Sequence, residues 1–200
     1  DLERIADQLR TAGVPVCTTI VVDKSVSVKA SQPEAWLSRP ELKFEMAGYI
    51  ESFQRGEENH QVLCRGLRKI CQNHYALMRW ILSGLHEAGV QLLLGTDSGL
   101  GNMGIVPGFS IQDELRILVE NGFTPYEALL TGTVNAARVV EKMTGKGNFG
   151  TIEVGNRADL ILVTGNPLED LTVIRKLFGV MAAGRWYSAE ALAKMIEIPG

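Results

Sequence analysis

The sequence predicts an α/β protein with a small β unit towards its C-terminal end. Three observations carry that reading. A helical pattern, a glycine and an apolar run occur twice in this order, ending at Val22 and at Leu94, which is the rhythm of a parallel sheet with crossover helices. The two runs, Val14–Val22 and Val90–Leu94, are nearly unbroken in apolarity, as strands covered on both faces are. From Gly145 onward glycine recurs at short intervals around a further β-branched run, Leu160–Val163.

Taken in order, Leu2, Ile5, Ala6, Leu9 and Ala12 form the stripe of a first helix that Gly13 ends. Pro15 opens the first strand, where a missing N–H is tolerated. Residues 23–59 are polar, carry Pro33 and Pro40 and show short helical patches. A connection that long either covers an active site or decorates the surface. Leu63, Leu67, Ile70, Leu77, Ile81, Leu85 and Ala88 set one long helix from His60 to Ala88, with Gly89 to cap it. Beyond the second strand, Ser110 is placed to cap a helix through Glu120, which Asn121-Gly122 stops. Thr124-Pro125-Tyr126-Glu127 joins an N-cap, a proline at the first helical position and a capping box. That helix runs to about Met143, with a break at Gly132. Two short strands flank Ala183-Gly184, and Ala189–Ile196 has a helical pattern.

Composition narrows the function classes. Of 200 residues, 46% are apolar and 22% charged, enough for a packed core and against disorder. A net charge of -3 with scattered Lys and Arg gives no basic field for nucleic acid. No apolar run approaches membrane-spanning length, and the charged start Asp1-Leu2-Glu3-Arg4 does not read as a signal peptide. The chain enters a helix at once and without Met, which predicts a fragment of something longer. The three cysteines, Cys17, Cys64 and Cys71, lack C-x-x-C spacing. Cys64 and Cys71 fall on one helical face and read as two buried thiols, which fits a reducing cytoplasm.

The stretch "LLLGTDSGLGNMG", residues 92–104, supports two readings. Gly99, Gly101 and Gly104 have the G-x-G-x-x-G spacing of a dinucleotide-binding turn, while Asp97 stands just past a buried strand, where metal ligands gather. The nucleotide reading fails on context. Thr96, Asp97 and Ser98 separate the strand from Gly99, Pro107 and Gly108 prevent a helix from opening at Gly104, and Asp97 would repel a pyrophosphate. By position alone, Asp97 is either a ligand or a cap for the next turn.

Four segments in consistent order add to this: "LLLGTDSG", "PGFSIQDELRILVENGFTPYEALLTGTVNAARVV", "GNFGTIEVGNRADLILVTGNPLEDL" and "VMAAGRWY". Together, over most of residues 90–187, they resemble the C-terminal part of the amidohydrolase superfamily, in its imidazolonepropionase-like and prolidase-like branch. The resemblance implies the last part of a (β/α)₈ TIM barrel over residues 1–144, a portion of a small flanking β-sandwich over 145–188 and a helical tail over 189–200. It implies a metal-dependent hydrolase of C–N bonds in a cyclic amide, amide or dipeptide-like small molecule. Asp97 would ligate a divalent metal, one or two ions with zinc as the family default, and would move the proton of the attacking water. Asp159 would hold a turn rather than act in catalysis.

The same resemblance implies ligands that this chain lacks: an H-x-H on the first strand, a Lys or Glu on the fourth, and His on the fifth and sixth. His60, His74 and His86 fall on helical positions away from strand ends, and a catalytic zinc takes three protein ligands or more. The expectation is an N-terminal barrel half in the same chain or in a partner, and homo-oligomers are compatible with it. Without that half, two parallel strands expose long edges, so these 200 residues alone are expected to be poorly soluble and to retain no metal. A catalytically silent relative kept for assembly is the alternative; a dinucleotide-binding module is the weaker one.

Overall fold

The structure is a computed structural model describing residues 1–64, 66–99 and 104–197, the side chains of His60, Leu63 and Cys64 excepted. It divides into two compact units, Asp1–Gly122 and Phe123–Gly200.

The first unit carries two parallel strands, β1 (Val16–Cys17) and β2 (Leu92–Leu93), with Val16 opposite Leu92 and Cys17 opposite Leu93. Helix α1 (Leu2–Ala12) leads into β1 and ends at Gly13, whose φ of 64° lets the Val14 amide reach back to the Leu9 carbonyl at 3.0 Å. Both strands are shorter than their apolar runs predict. The run Val14–Val22 leaves the strand after Cys17 and enters helix α2 (Ile20–Ser31). A short apolar run suits either state; here a carboxylate from far along the chain tips it to helix.

Residues 20–64 form a helical layer of α2, α3 (Pro33–Leu37), a 3₁₀ turn at Pro40–Phe44, α4 (Ala47–Gln54) and α5 (Asn59–Cys64). Trp36, Leu42 and Phe53 build its core together with Val106, and Phe44 stacks on Phe109 at 5.2 Å. Lys29 lies inside this core with its ammonium 3.3 Å from Glu58 and 3.0 Å from the Tyr49 hydroxyl. The same ammonium stands 5.6 Å from the Trp36 ring and 5.7 Å from the Tyr49 ring. A charge so far from water persists only when paired and wrapped by such donors and rings.

The expected helix from His60 to Ala88 is two helices, α5 and α6 (Arg68–Glu87), with Gly66 in the turn between them. Helix α7 (Ser110–Glu120) follows the glycine loop. Ser110 does not cap it: Phe109 already has near-helical angles (φ −90°, ψ −47°), and the buried Ser110 hydroxyl has no partner among the described residues. Cys71 is disulfide-bonded rather than a buried thiol, so the support that unpaired thiols lent to a reducing cytoplasm is withdrawn. Cys17 is free.

In the second unit, Thr124 and Glu127 form the capping box. The Glu127 amide donates to Thr124 Oγ1 at 3.2 Å and the Thr124 amide to Glu127 Oε2 at 2.8 Å, starting α8 (Pro125–Gly132). Thr133 breaks the helix (φ −120°, ψ −92°) before α9 (Val134–Thr144). Strands β3 (Leu160–Val163), β4 (Leu177–Ala182) and β5 (Arg185–Ser188) make one antiparallel sheet in that order, and α10 (Ala189–Met195) follows. Ala183 and Gly184, at φ 47° and 81°, supply the left-handed pair that a tight hairpin requires. The division between units lies after Gly122, so α8 and α9 group with the sheet, whereas the division expected after Thr144 falls at the end of α9. Among the described residues no helix is long and apolar enough to cross a membrane.

Candidate active site

Parallel strands deliver their carboxyl ends to one edge, and in α/β folds that edge is where chemistry is placed. Beyond β2 the chain runs through Gly95 to Asp97, whose carboxylate is exposed and whose φ is 51°. Asp tolerates this left-handed region better than most residues. From β1 come Cys17 and Thr19. A side chain on Gly95 would collide with Cys17 Sγ and lie 3.4 Å from Thr19 Cγ2, so the two strand ends converge only because residue 95 is glycine. Burial, and then the Glu114 carboxylate, push the Cys17 thiol up, which keeps it protonated near neutral pH.

Glu114 sets the geometry of this edge. It projects from α7, is 0% exposed, and accepts from the amides of Thr19 at 3.0 Å, Ile20 at 3.1 Å and Val21 at 2.7 Å. These are orphan N–H groups at the start of α2, where a negative charge also meets the positive end of the helix dipole. Burial pushes the Glu114 carboxyl up, while the Thr18 hydroxyl and the Val21 and Ile20 amides pull it down. Sequence reasoning missed Glu114. Its signal was a carboxylate within the buried face of α7, beside Leu115, Ile117 and Leu118.

The histidines and Asp159, which the sequence reading set aside as ligands or catalytic groups, fall as follows. His74 pairs with Asp23, Nε2 to Oδ1 at 3.0 Å, and so joins α6 to α2. His86 lies near the end of α6, and the His60 side chain lies outside the described residues. Asp159 accepts from the Ala183 amide at 2.7 Å and from Arg157, tying the start of β3 to the β4–β5 hairpin. Of the glycine triplet, Gly101 lies outside the described residues. Gly104 has a φ of 67° and packs on Trp36 so closely that a side chain would enter the indole. The next helix among the described residues opens at Ser110, so Gly104 does not open a helix as the dinucleotide-binding turn requires.

Among the described residues, no three His, Cys, Asp or Glu gather closely enough to hold a metal ion. Asp97 offers one carboxylate where a catalytic zinc takes three protein ligands. These residues by themselves do not complete a metal centre.

Two parallel strands with crossover helices, and a carboxylate past the second of them, define a segment of an α/β fold. The amidohydrolase family model matches residues 77–187, and the chain belongs to that family. It is 36% identical over 94 residues to ochratoxinase from Aspergillus niger, a match spanning 46% of this chain and 18% of that protein. Among solved structures, it is similar to a Xaa-Pro dipeptidase with bound methionine (TM-score 0.63, 24% identity, 92% of this chain and 37% of the other). It is also similar to a prolidase complexed with N-methylphosphonate-L-proline (TM-score 0.61, 26% identity, 93% and 38%). The A. niger ochratoxinase structure matches at a TM-score of 0.60 with 23% identity, over 94% of this chain and 35% of that one. The chain thus spans little more than a third of the structures it resembles, and its fold is that of a partial amidohydrolase barrel.

Proposed function

We propose that the chain is the C-terminal portion of a metal-dependent hydrolase of amide-type C–N bonds. The observation that carries this reading is an exposed Asp97 at the carboxyl end of β2, inside the segment that matches the amidohydrolase family. Asp97 would ligate a divalent ion, zinc by family default, together with residues outside these 200, and the ion would supply a water acidic enough to ionise near neutral pH. Beside such an ion the Asp97 carboxylate would be placed to accept a proton from water and to return it to the leaving nitrogen. Similarity to a prolidase holding a proline phosphonate favours a dipeptide-like small molecule over a cyclic amide.

The second reading, a silent relative retained for assembly, is favoured by the lack of a three-ligand cluster among the described residues. Metal content and turnover of a panel of Xaa-Pro dipeptides and N-acyl amino acids by the complete polypeptide separate the two. In that polypeptide Asp97→Asn is expected to lower kcat by ~10²–10⁴-fold with the fold intact. Turnover near wild type would sink the role of Asp97, and a metal-loaded protein inert to the whole panel would favour the silent reading.

A further inference from the structure

Thr19 occupies the position before α2 where a threonine ordinarily caps the helix with its own hydroxyl. It does not do so here. Its side chain makes no cap hydrogen bond, and its φ is 104° rather than in the extended region that capping uses. Positive φ is a strained state for a β-branched residue. The capping falls instead to Glu114, buried and 95 residues further on, which receives the amides of Thr19, Ile20 and Val21. A local solution was at hand, yet the fold uses a distant carboxylate and a strained backbone.

The side chain so released stands over Gly95, two residues before Asp97, with Cγ2 3.4 Å from where a Gly95 side chain would begin. It is half-buried, and its hydroxyl has no hydrogen-bond partner among the described residues. Strain of this kind collects where a side chain must be aimed at something other than its own fold. Resting on the hydrolase reading above, we propose that Glu114 is a positioning residue that holds the β1–α2 turn, so that the Thr19 hydroxyl lines the substrate site beside the Gly95–Asp97 segment. The hydroxyl then meets an amide or carboxylate oxygen of a dipeptide-like substrate.

The test uses the full-length metal-loaded protein and the Xaa-Pro dipeptide it turns over best. Thr19→Val keeps the branched shape and removes the hydroxyl. It is expected to raise KM about tenfold with a much smaller change in kcat, the scale of one lost hydrogen bond. Glu114→Gln, which sets an amide group against three N–H donors, is expected to raise KM in the same direction and lower kcat, with bound metal per chain unchanged. Glu114→Asp, which keeps the charge but shortens the reach, should lose less than Glu114→Gln. A purely structural cap would lower the melting temperature of both Glu114 variants and leave KM unmoved in each, and Thr19→Val would be silent; that result overturns the proposal. If Glu114→Gln does not fold, Thr19→Val alone decides. A wild-type protein without amide hydrolysis overturns the functional reading and this proposal together, whereas an active wild type with unmoved KM in the variants overturns only the latter.

Discussion

In the helical layer of residues 20–64 a charged pair is withdrawn from water, whereas in the sheet β3–β5 large apolar side chains face it. The Lys29 and Glu58 side chains are 1% and 4% exposed. Ile161, Leu162 and Phe178 are 54%, 51% and 60% exposed. Ile161 and Leu162 are consecutive in a strand and point to opposite faces, so neither face of the sheet is fully covered within its unit. The helical layer closes around Trp36 and Phe53 with its own elements and the Val106–Phe109 segment of the same unit, and a single three-stranded sheet is one layer of an architecture that needs two. What a region can bury from within itself, rather than its composition, separates the two.

The largest effect that would break this contrast is at Lys29. Lys29→Met leaves the Glu58 carboxylate buried without its counter-charge and is expected to destabilise the protein by about 3–5 kcal/mol in denaturant unfolding. Lys29→Met combined with Glu58→Leu should recover most of that loss; equal losses in the single and double variants would show that the pair is not what the layer is built around. Next comes Gly104→Ala, which places a methyl group in the Trp36 indole at a φ of 67°. It is expected to cost about 1–3 kcal/mol, read as a lower melting temperature with a shift in tryptophan emission; an unchanged emission would mean that the loop is not pinned on Trp36. The smallest effect belongs to the sheet. Ile161→Thr and Phe178→Thr in residues 1–200 should change stability by no more than about 0.5 kcal/mol while delaying aggregation. A loss well above that would show these side chains to be covered, and the contrast would dissolve.

Much of the second unit was legible because its signals are local. Thr124 and Glu127 are three residues apart, Ala183-Gly184 is a turn by itself, and Leu160–Val163 is an apolar run between Asp159 and Thr164. The first unit was less legible where distant groups decide. Ile20–Val22 reads as strand until Glu114 supplies the amides with acceptors, and no window of ten residues contains both. Ser110 reads as a cap until Phe109 is seen to have turned already. Asp97 could be placed past a strand from the pattern "LLLGTD", but its ligand role depends on groups that no spacing within these 200 residues supplies. Thr19 offered no signal, since a threonine before a helix ordinarily means a cap.

The hydrogen bond from the Thr19 amide to Glu114 spans 95 residues. A ribosome working at about 5–20 residues per second needs roughly 5–19 s to travel between the two codons. By the end of that interval Lys29, Trp36 and Phe53 have long been synthesised, while the first amides of α2 still lack the acceptor that Glu114 supplies. The turn that bears Thr19 is therefore among the last parts of the first unit to be locked during synthesis, and a chain halted before residue 114 would carry the helical layer without the edge on which Asp97 stands.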